Sequence, residues 1–127
     1  MQTYRDLNDW QVNQQCIELC AKLMEKLPRS QPAGIISDQL FRSIASVGAN
    51  IAEGYGSYEG WEYPRYCRIA LRSATESDHW LATLRRLFPA LLGEIDEIET
   101  FNCESIKMLK GLIKSIVAKR TGLHPTP

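Results

Sequence analysis

The chain has 127 residues and 14.4 kDa, with 44% hydrophobic and 24% charged residues, and 15 Lys+Arg balance 15 Asp+Glu. That length suits one domain with its own core, and the composition excludes a disordered chain. Zero net charge excludes a uniformly basic nucleic-acid coat but leaves room for a local patch.

Apolar residues recur every three or four positions, the signature of helices, and strand signals are poor. Pro28 and Pro32 flank a polar turn; Gly54, Gly56 and Gly60 form a second break; Pro89 and Gly93 mark a third. These divide the chain into helices of about 5–27, 35–54, 61–88 and 94–120, with a flexible tail over 121–127 that ends in Pro-Thr-Pro.

In the first helix Gln11, Gln15, Glu18, Lys22, Glu25 and Arg29 line one wet stripe. The apolar arc around it, from Leu7 and Trp10 through Ile17, Leu19 and Met24 to Leu27, is wider than a coiled-coil seam. Such a helix touches more than one neighbour, inside its bundle or across a subunit boundary. The second helix has an apolar spine of Ile36, Leu40, Ile44, Val47 and Ile51, with Ala45, Gly48, Ala49 and Ala52 as small residues for close approach. Its few polar residues, Gln39, Arg42, Ser46, Asn50 and Glu53, fall on one stripe. On so apolar a helix this predicts a half-buried, hydrogen-bonded row in which Asn50 bridges to a neighbouring helix.

The third helix carries Tyr63, Cys67, Ala70, Ala74, Ser77, Leu81, Leu84 and Phe88 on a heptad-like seam, and Arg65, Arg68, Arg72, Glu76, His79, Thr83 and Arg86 opposite. Pro64 places its start near Gly60. Trp80 and Ile69 lie off both stripes. The fourth helix gathers Glu94, Asp96, Glu97 and Glu99 at its start and Lys110, Lys114, Lys119 and Arg120 at its end, which suits the helix dipole. Ile98, Phe101, Met108, Leu109, Leu112, Ile113, Ile116 and Val117 form its apolar face, and Gly111 is expected to answer a close contact. The fold class is therefore all-α, an antiparallel up-down-up-down four-helix bundle in a single domain, 1–127. Its expected core includes Leu40, Ile44, Val47, Ala74, Leu81, Leu84, Leu109 and Ile113.

The N-terminus has no basic segment followed by an apolar run, and no stretch reaches the roughly 18–20 apolar residues of a membrane helix, so the expectation is a cytoplasmic protein with no membrane partner. Cys16, Cys20, Cys67 and Cys103 are expected as reduced thiols packed like small hydrophobes. No catalytic, cofactor or metal site assembles. Glu76-Ser77-Asp78-His79 has the Glu-x-x-His spacing of a di-iron bundle, but there is no second copy. Gly54-Tyr55-Gly56 closes a helix and lacks the Lys-Ser/Thr of a phosphate loop. The chain is expected not to be an enzyme, and no small-molecule substrate is evident.

The run Ser46-Val47-Gly48-Ala49-Asn50-Ile51-Ala52-Glu53-Gly54-Tyr55-Gly56 resembles the hallmark of the bacterial four-helix-bundle proteins, also called 23S rRNA intervening-sequence proteins. Tyr4–Trp10, Asp38–Ser43, Glu62–Ser73 and Met108–Ser115 resemble further segments of that family, in order. The resemblance implies an all-α bundle that assembles as a ring-shaped homopentamer, with no enzymatic activity and an association with rRNA or an RNA-processing partner. It also implies a more distant likeness to the accessory protein of diversity-generating retroelements. Gln39, Arg42, Asn50, Glu53 and Gly54 are the polar row of the family motif. The family usually has basic residues after Gly-Tyr-Gly, whereas this chain has Ser57-Tyr58-Glu59-Gly60-Trp61.

The expected function is a non-enzymatic oligomeric scaffold, with Arg65, Arg68 and Arg72 as the candidate nucleic-acid contacts and Trp10, Tyr58, Trp61 and Trp80 as interface candidates. The alternative is a protein-only scaffold in which those arginines pair with Glu59, Glu62, Glu76 or the acidic start of the fourth helix.

Overall fold

The computed structural model describes residues 3–57 and 62–122. A short 3-10 turn, Tyr4–Asp6, leads into α1 (Asn8–Lys26), α2 (Gln31–Gly56) and α3 (Glu62–Leu87); a second turn, Pro89–Leu91, leads into α4 (Leu92–Thr121). Each helix packs on its two neighbours in chain order, with α4 returning to α1, so the four form the expected antiparallel ring around one core.

Helix ends follow local chemistry. Thr3 and Asp6 cap the first turn reciprocally: the Thr3 N–H donates to Asp6 Oδ2 (2.9 Å), and Thr3 Oγ1 accepts from the Arg5 N–H (3.2 Å). α1 stops at Lys26 because Leu27, held extended ahead of Pro28, cannot continue it. α2 begins four residues before the expected position. Ser30 Oγ accepts from the Ala33 N–H, and Pro32 sits in the first turn, where no N–H is needed. Pro32 therefore opens a helix instead of flanking a turn. α4 starts two residues early at Leu92 and runs through Thr121, the first residue of the expected tail, to a left-handed Gly122.

The core has two adjoining clusters. One joins Cys16, Cys20, Leu23, Leu40, Ile44, Leu81, Leu84, Ile95 and Ile98; the other joins Val47, Ile51, Ala70, Ala74 and Leu109. Each fully buried Leu or Ile contributes about 1.5–3 kcal/mol of hydrophobic stabilisation. The wide arc of α1 is used within the chain. Ile17, Leu19, Met24 and Leu27 pack on the first cluster, and Leu7 and Trp10 on the second.

Ile113 is half-buried, not central as expected, and so are Leu112, Ile116 and Val117. The Lys26–Glu94 ion pair (3.1 Å) aligns the end of α1 with the start of α4. With that register, α4 beyond about residue 112 runs past the beginning of α1 and loses one of its neighbours.

Polar side chains sew the helices together. Ser43 Oγ meets Ser77 Oγ at 2.8 Å and Ser46 Oγ meets Ser73 Oγ at 3.0 Å, both between α2 and α3. The buried Asn102 amide donates to the Ala74 carbonyl (2.9 Å), tying α4 to α3. The buried Asn13 amide donates to the Ile44 carbonyl (2.9 Å), tying α1 to α2.

Candidate nucleic-acid interface

The motif of residues 46–56 resolves into packing roles. Val47 and Ile51 enter the core. Gly48 faces Asn13 so closely that a Cβ there would lie 2.1 Å from Asn13 Oδ1. Gly54 lets the start of α3 cross the end of α2: its Cβ would lie 2.9 Å from Tyr66 Cβ and 3.2 Å from Tyr63 Cδ1. Gly111, expected to answer a close contact, has nothing within 4 Å of its Cβ position.

The polar stripe of α2 lies further out than expected. Gln39, Arg42 and Glu53 are exposed, and only Ser46 and Asn50 are half-buried. Asn50 Nδ2 donates to the Ser46 carbonyl (2.8 Å) and to Ser46 Oγ (3.1 Å), so it bonds within its own helix instead of bridging to another. Arg42 pairs with Asp38 one turn back (3.2 Å) with three-quarters of its side chain exposed, the setting in which an ion pair adds only about 0–1 kcal/mol. The inward polar residues of α2 are instead Ser37 and Ser43. They fall between apolar positions, where the helical period alone marks them.

Trp10 and Trp80 are half-buried against the core clusters. Trp10 makes an edge contact with Tyr4, and Trp80 Nε1 donates to Glu76 (2.9 Å). Tyr58 and Trp61 lie outside the described residues. Three thiols, Cys16, Cys20 and Cys67, are buried, and burial pushes each up to about 12. Cys103, expected to be packed, is exposed instead. Among the described residues no cluster of three His, Cys, Asp or Glu side chains gathers to hold a metal, and no helix is long and apolar enough to cross a membrane.

Arg65, Arg68 and Arg72 are all exposed on α3. Arg65 is held by Glu62 (3.6 Å) and lies over the Tyr66 ring, its guanidinium carbon 5.1 Å from the centroid. Arg68 and Arg72 have no ion pair among the described residues. Pairing between α3 and α4 brings more charge to them. Asn102 against Ala74, and Arg85 against Asp96 and Glu99, set the antiparallel register. It places Lys107, Lys110 and Lys114 at the heights of Arg72, Arg68 and Arg65. All three lysines are exposed. At 100° per residue they share the α3-facing side of α4, and Arg68 lies on the α4-facing side of α3. Six cations thus lie at the same end of the α3–α4 pair, Arg68 and the lysines toward the groove between the helices and Arg65 and Arg72 on the outer side of α3.

The other end of that face is acidic. An open groove of about 620 Å³ between the two helices is lined by Asp78, Asp96, Glu99, Thr100, Cys103, Glu104 and Lys107. The segment 94–104 carries Glu94, Asp96, Glu97, Glu99 and Glu104 with no Lys or Arg, whereas 107–120 carries Lys107, Lys110, Lys114, Lys119 and Arg120 with no Asp or Glu. The backbone N–H of Glu94 itself, followed by Lys26, holds its carboxyl below the ordinary carboxylate range. α4 is thereby polarised along its length, with Arg85 of α3 offsetting Asp96 and Glu99 at the acidic end.

A family model described as 23S rRNA-intervening sequence protein matches residues 5–111. A crystal structure of a protein of unknown function from the S23 ribosomal protein family of Bacteroides thetaiotaomicron superposes with a TM-score of 0.75 at 26% identity, covering 84% of this chain and 98% of that one. No curated protein matches the chain.

Proposed function

We propose a function on the premise that the match establishes: the chain belongs to the 23S rRNA-intervening sequence protein family. It is a cytoplasmic, non-enzymatic scaffold that assembles as a homo-oligomer, the pentameric ring that the resemblance implies, and holds RNA by its phosphates. The observation that supports RNA contact is that the register of α3 against α4 sets the exposed Arg65, Arg68 and Arg72 at the same end of the helix pair as the exposed Lys107, Lys110 and Lys114. Exposed cations at this density attract a polyanion, and ring symmetry multiplies the patch. Phosphate contact of this kind releases counterions, so affinity falls steeply with salt. The Arg65–Glu62 pair favours the competing reading, a protein-only scaffold.

RNA binding at two salt concentrations separates the two. Wild type is expected to bind at low salt. Replacing either the three arginines or the three lysines by Ala should weaken binding and flatten its salt dependence, with the oligomer unchanged in light scattering. Absence of low-salt binding by the intact oligomer overturns the RNA reading and leaves the protein-only scaffold.

A further inference from the structure

We infer that the basic end of the α3–α4 pair takes single-stranded RNA, with an unpaired base stacked on Arg65 where that side chain lies over the Tyr66 ring. The inference rests on the phosphate reading above and adds to it the form of the RNA and the residues that recognise that form.

Phenylalanine and tyrosine are sorted along the bundle. Phe41, Phe88 and Phe101 pack on the first core cluster. The described tyrosines, Tyr4, Tyr55, Tyr63 and Tyr66, lie at the opposite end. Tyr4 meets Trp10, which packs on the second cluster; Tyr55, in the last turn of α2, meets Tyr63, in the first turn of α3, edge-on at 6.5 Å. Arg65, Arg68 and Arg72 belong to this same end of α3, so the bundle carries its exposed cations beside its tyrosines. Cations interleaved with rings are the composition of surfaces that track a single strand.

The Arg65–Tyr66 pair is the built part of this surface. Tyr66 is half-buried and backed by α2 at close range, since a side chain at Gly54 would lie 2.9 Å from Tyr66 Cβ. Arg65 is fixed at two points: its guanidinium carbon lies 5.1 Å from the Tyr66 centroid, and its Nε lies 3.6 Å from Glu62 Oε1. The side chain nevertheless stays 58% exposed, and its terminal nitrogens make no ion pair among the described residues. A planar, weakly hydrated cation resting on a ring takes a base on its other side. Arg68 and Arg72 follow at about 4.5 and 10.5 Å along the helix, placed for phosphates of the same strand. A duplex keeps its base faces inside its own stack, so it would meet the charges alone.

Fluorescence anisotropy of the full chain at low salt tests this with three RNA probes. They are a single strand, an abasic single strand with the same phosphates, and a hairpin duplex with the same number of phosphates. Wild type should bind the natural single strand about tenfold more tightly than the other two. Arg65→Lys keeps the charge and removes the plane. It should lose about tenfold for the natural strand and leave the abasic strand and the hairpin unchanged. Tyr66→Leu should do the same, whereas Tyr66→Phe, which keeps the ring, should bind like wild type. Arg65 is exposed, so its replacement leaves the fold intact. Equal affinity of wild type for natural and abasic strands overturns the stacking and leaves the phosphate reading standing. So does an Arg65→Lys protein that weakens on all three probes alike. Absence of binding to every probe by wild type overturns the phosphate reading and the stacking with it.

Discussion

Gly48→Ala sets two opposing effects against each other, and the α1–α2 contact decides the sign. Inside a helix, Ala is favoured over Gly by about 1 kcal/mol. The new methyl would lie 2.1 Å from Asn13 Oδ1 and 3.1 Å from its Cγ, so something must move. Asn13 is buried and short, and its amide is committed to the Ile44 carbonyl. Rotating it away strands a buried amide at a cost of about 1–3 kcal/mol. Shifting α1 outward instead strains a packed interface, at about 1–3 kcal/mol. Since some of each is needed to clear so short a contact, the net expectation is a loss of about 2–3 kcal/mol. Urea denaturation should show it as a lower midpoint with an unchanged slope. Asn13→Ala also destabilises, yet the double variant should be more stable than the sum of the two losses predicts, because the methyl then enters vacated space. Gly111→Ala is the control: nothing lies within 4 Å, so it should gain up to about 1 kcal/mol. A Gly48→Ala protein as stable as wild type, or more stable, would refute the argument.

Three further outcomes are expected. Burial raises the Asp9 carboxyl above its ordinary range, and its Oδ2 has no hydrogen-bond partner among the described residues, so the ionised form weighs against the fold. Asp9→Asn should gain stability relative to wild type as pH rises from the unfolded carboxyl's ordinary value through the raised folded one, and the gain should vanish below both; denaturation midpoints across that range check it. A thiol reagent at neutral pH should titrate Cys103 alone in the native protein and all four cysteines after denaturation. Asn102→Ala strands the Ala74 carbonyl contact and should cost about 1–3 kcal/mol, whereas Asn50→Ala, which loses bonds only within its own half-buried turn, should cost about 0.5–1.5 kcal/mol by thermal melting.

The seam of α3 was readable because its apolar period is long and uninterrupted: Tyr63, Cys67, Ala70, Ala74, Ser77, Leu81 and Leu84 are all buried. The start of α2 was not, because Pro32 carries the same sequence signal in a turn and in a first helical turn. Only the Ser30 cap distinguishes them. The polar stripe of α2 misled for a related reason. Scarcity of polar residues suggested burial, but a residue's direction depends on which neighbours surround its helix. Asp9 and Asn13 show the reverse case: both fall on the buried period of Cys16, Cys20 and Leu23, and that period was the available signal for their burial. Each half of the basic patch was visible as a spacing, Arg65-Arg68-Arg72 and Lys107-Lys110-Lys114. Their union was not, because it depends on the register of α3 against α4, which no local pattern encodes.

The serine pairs of α2 and α3 also bear on the order in which the bundle opens. Those two helices share the most extensive contact, closed by Ser43–Ser77 and Ser46–Ser73 and by the tight crossing at Gly54. α1 is shorter by about two turns, starts without a side-chain cap, and among the described residues is hydrogen-bonded to α2 through the Asn13 amide alone. Cooperative units separate in the order of their weakest attachments. Amide protons of α1 should therefore exchange with solvent through a partial opening that leaves the α2–α3 hairpin protected, and only global unfolding should release the amides around Val47 and Ala74. On this account the hairpin is the last part of the domain to lose its structure, and α1 is the part that a partner or a protease meets first.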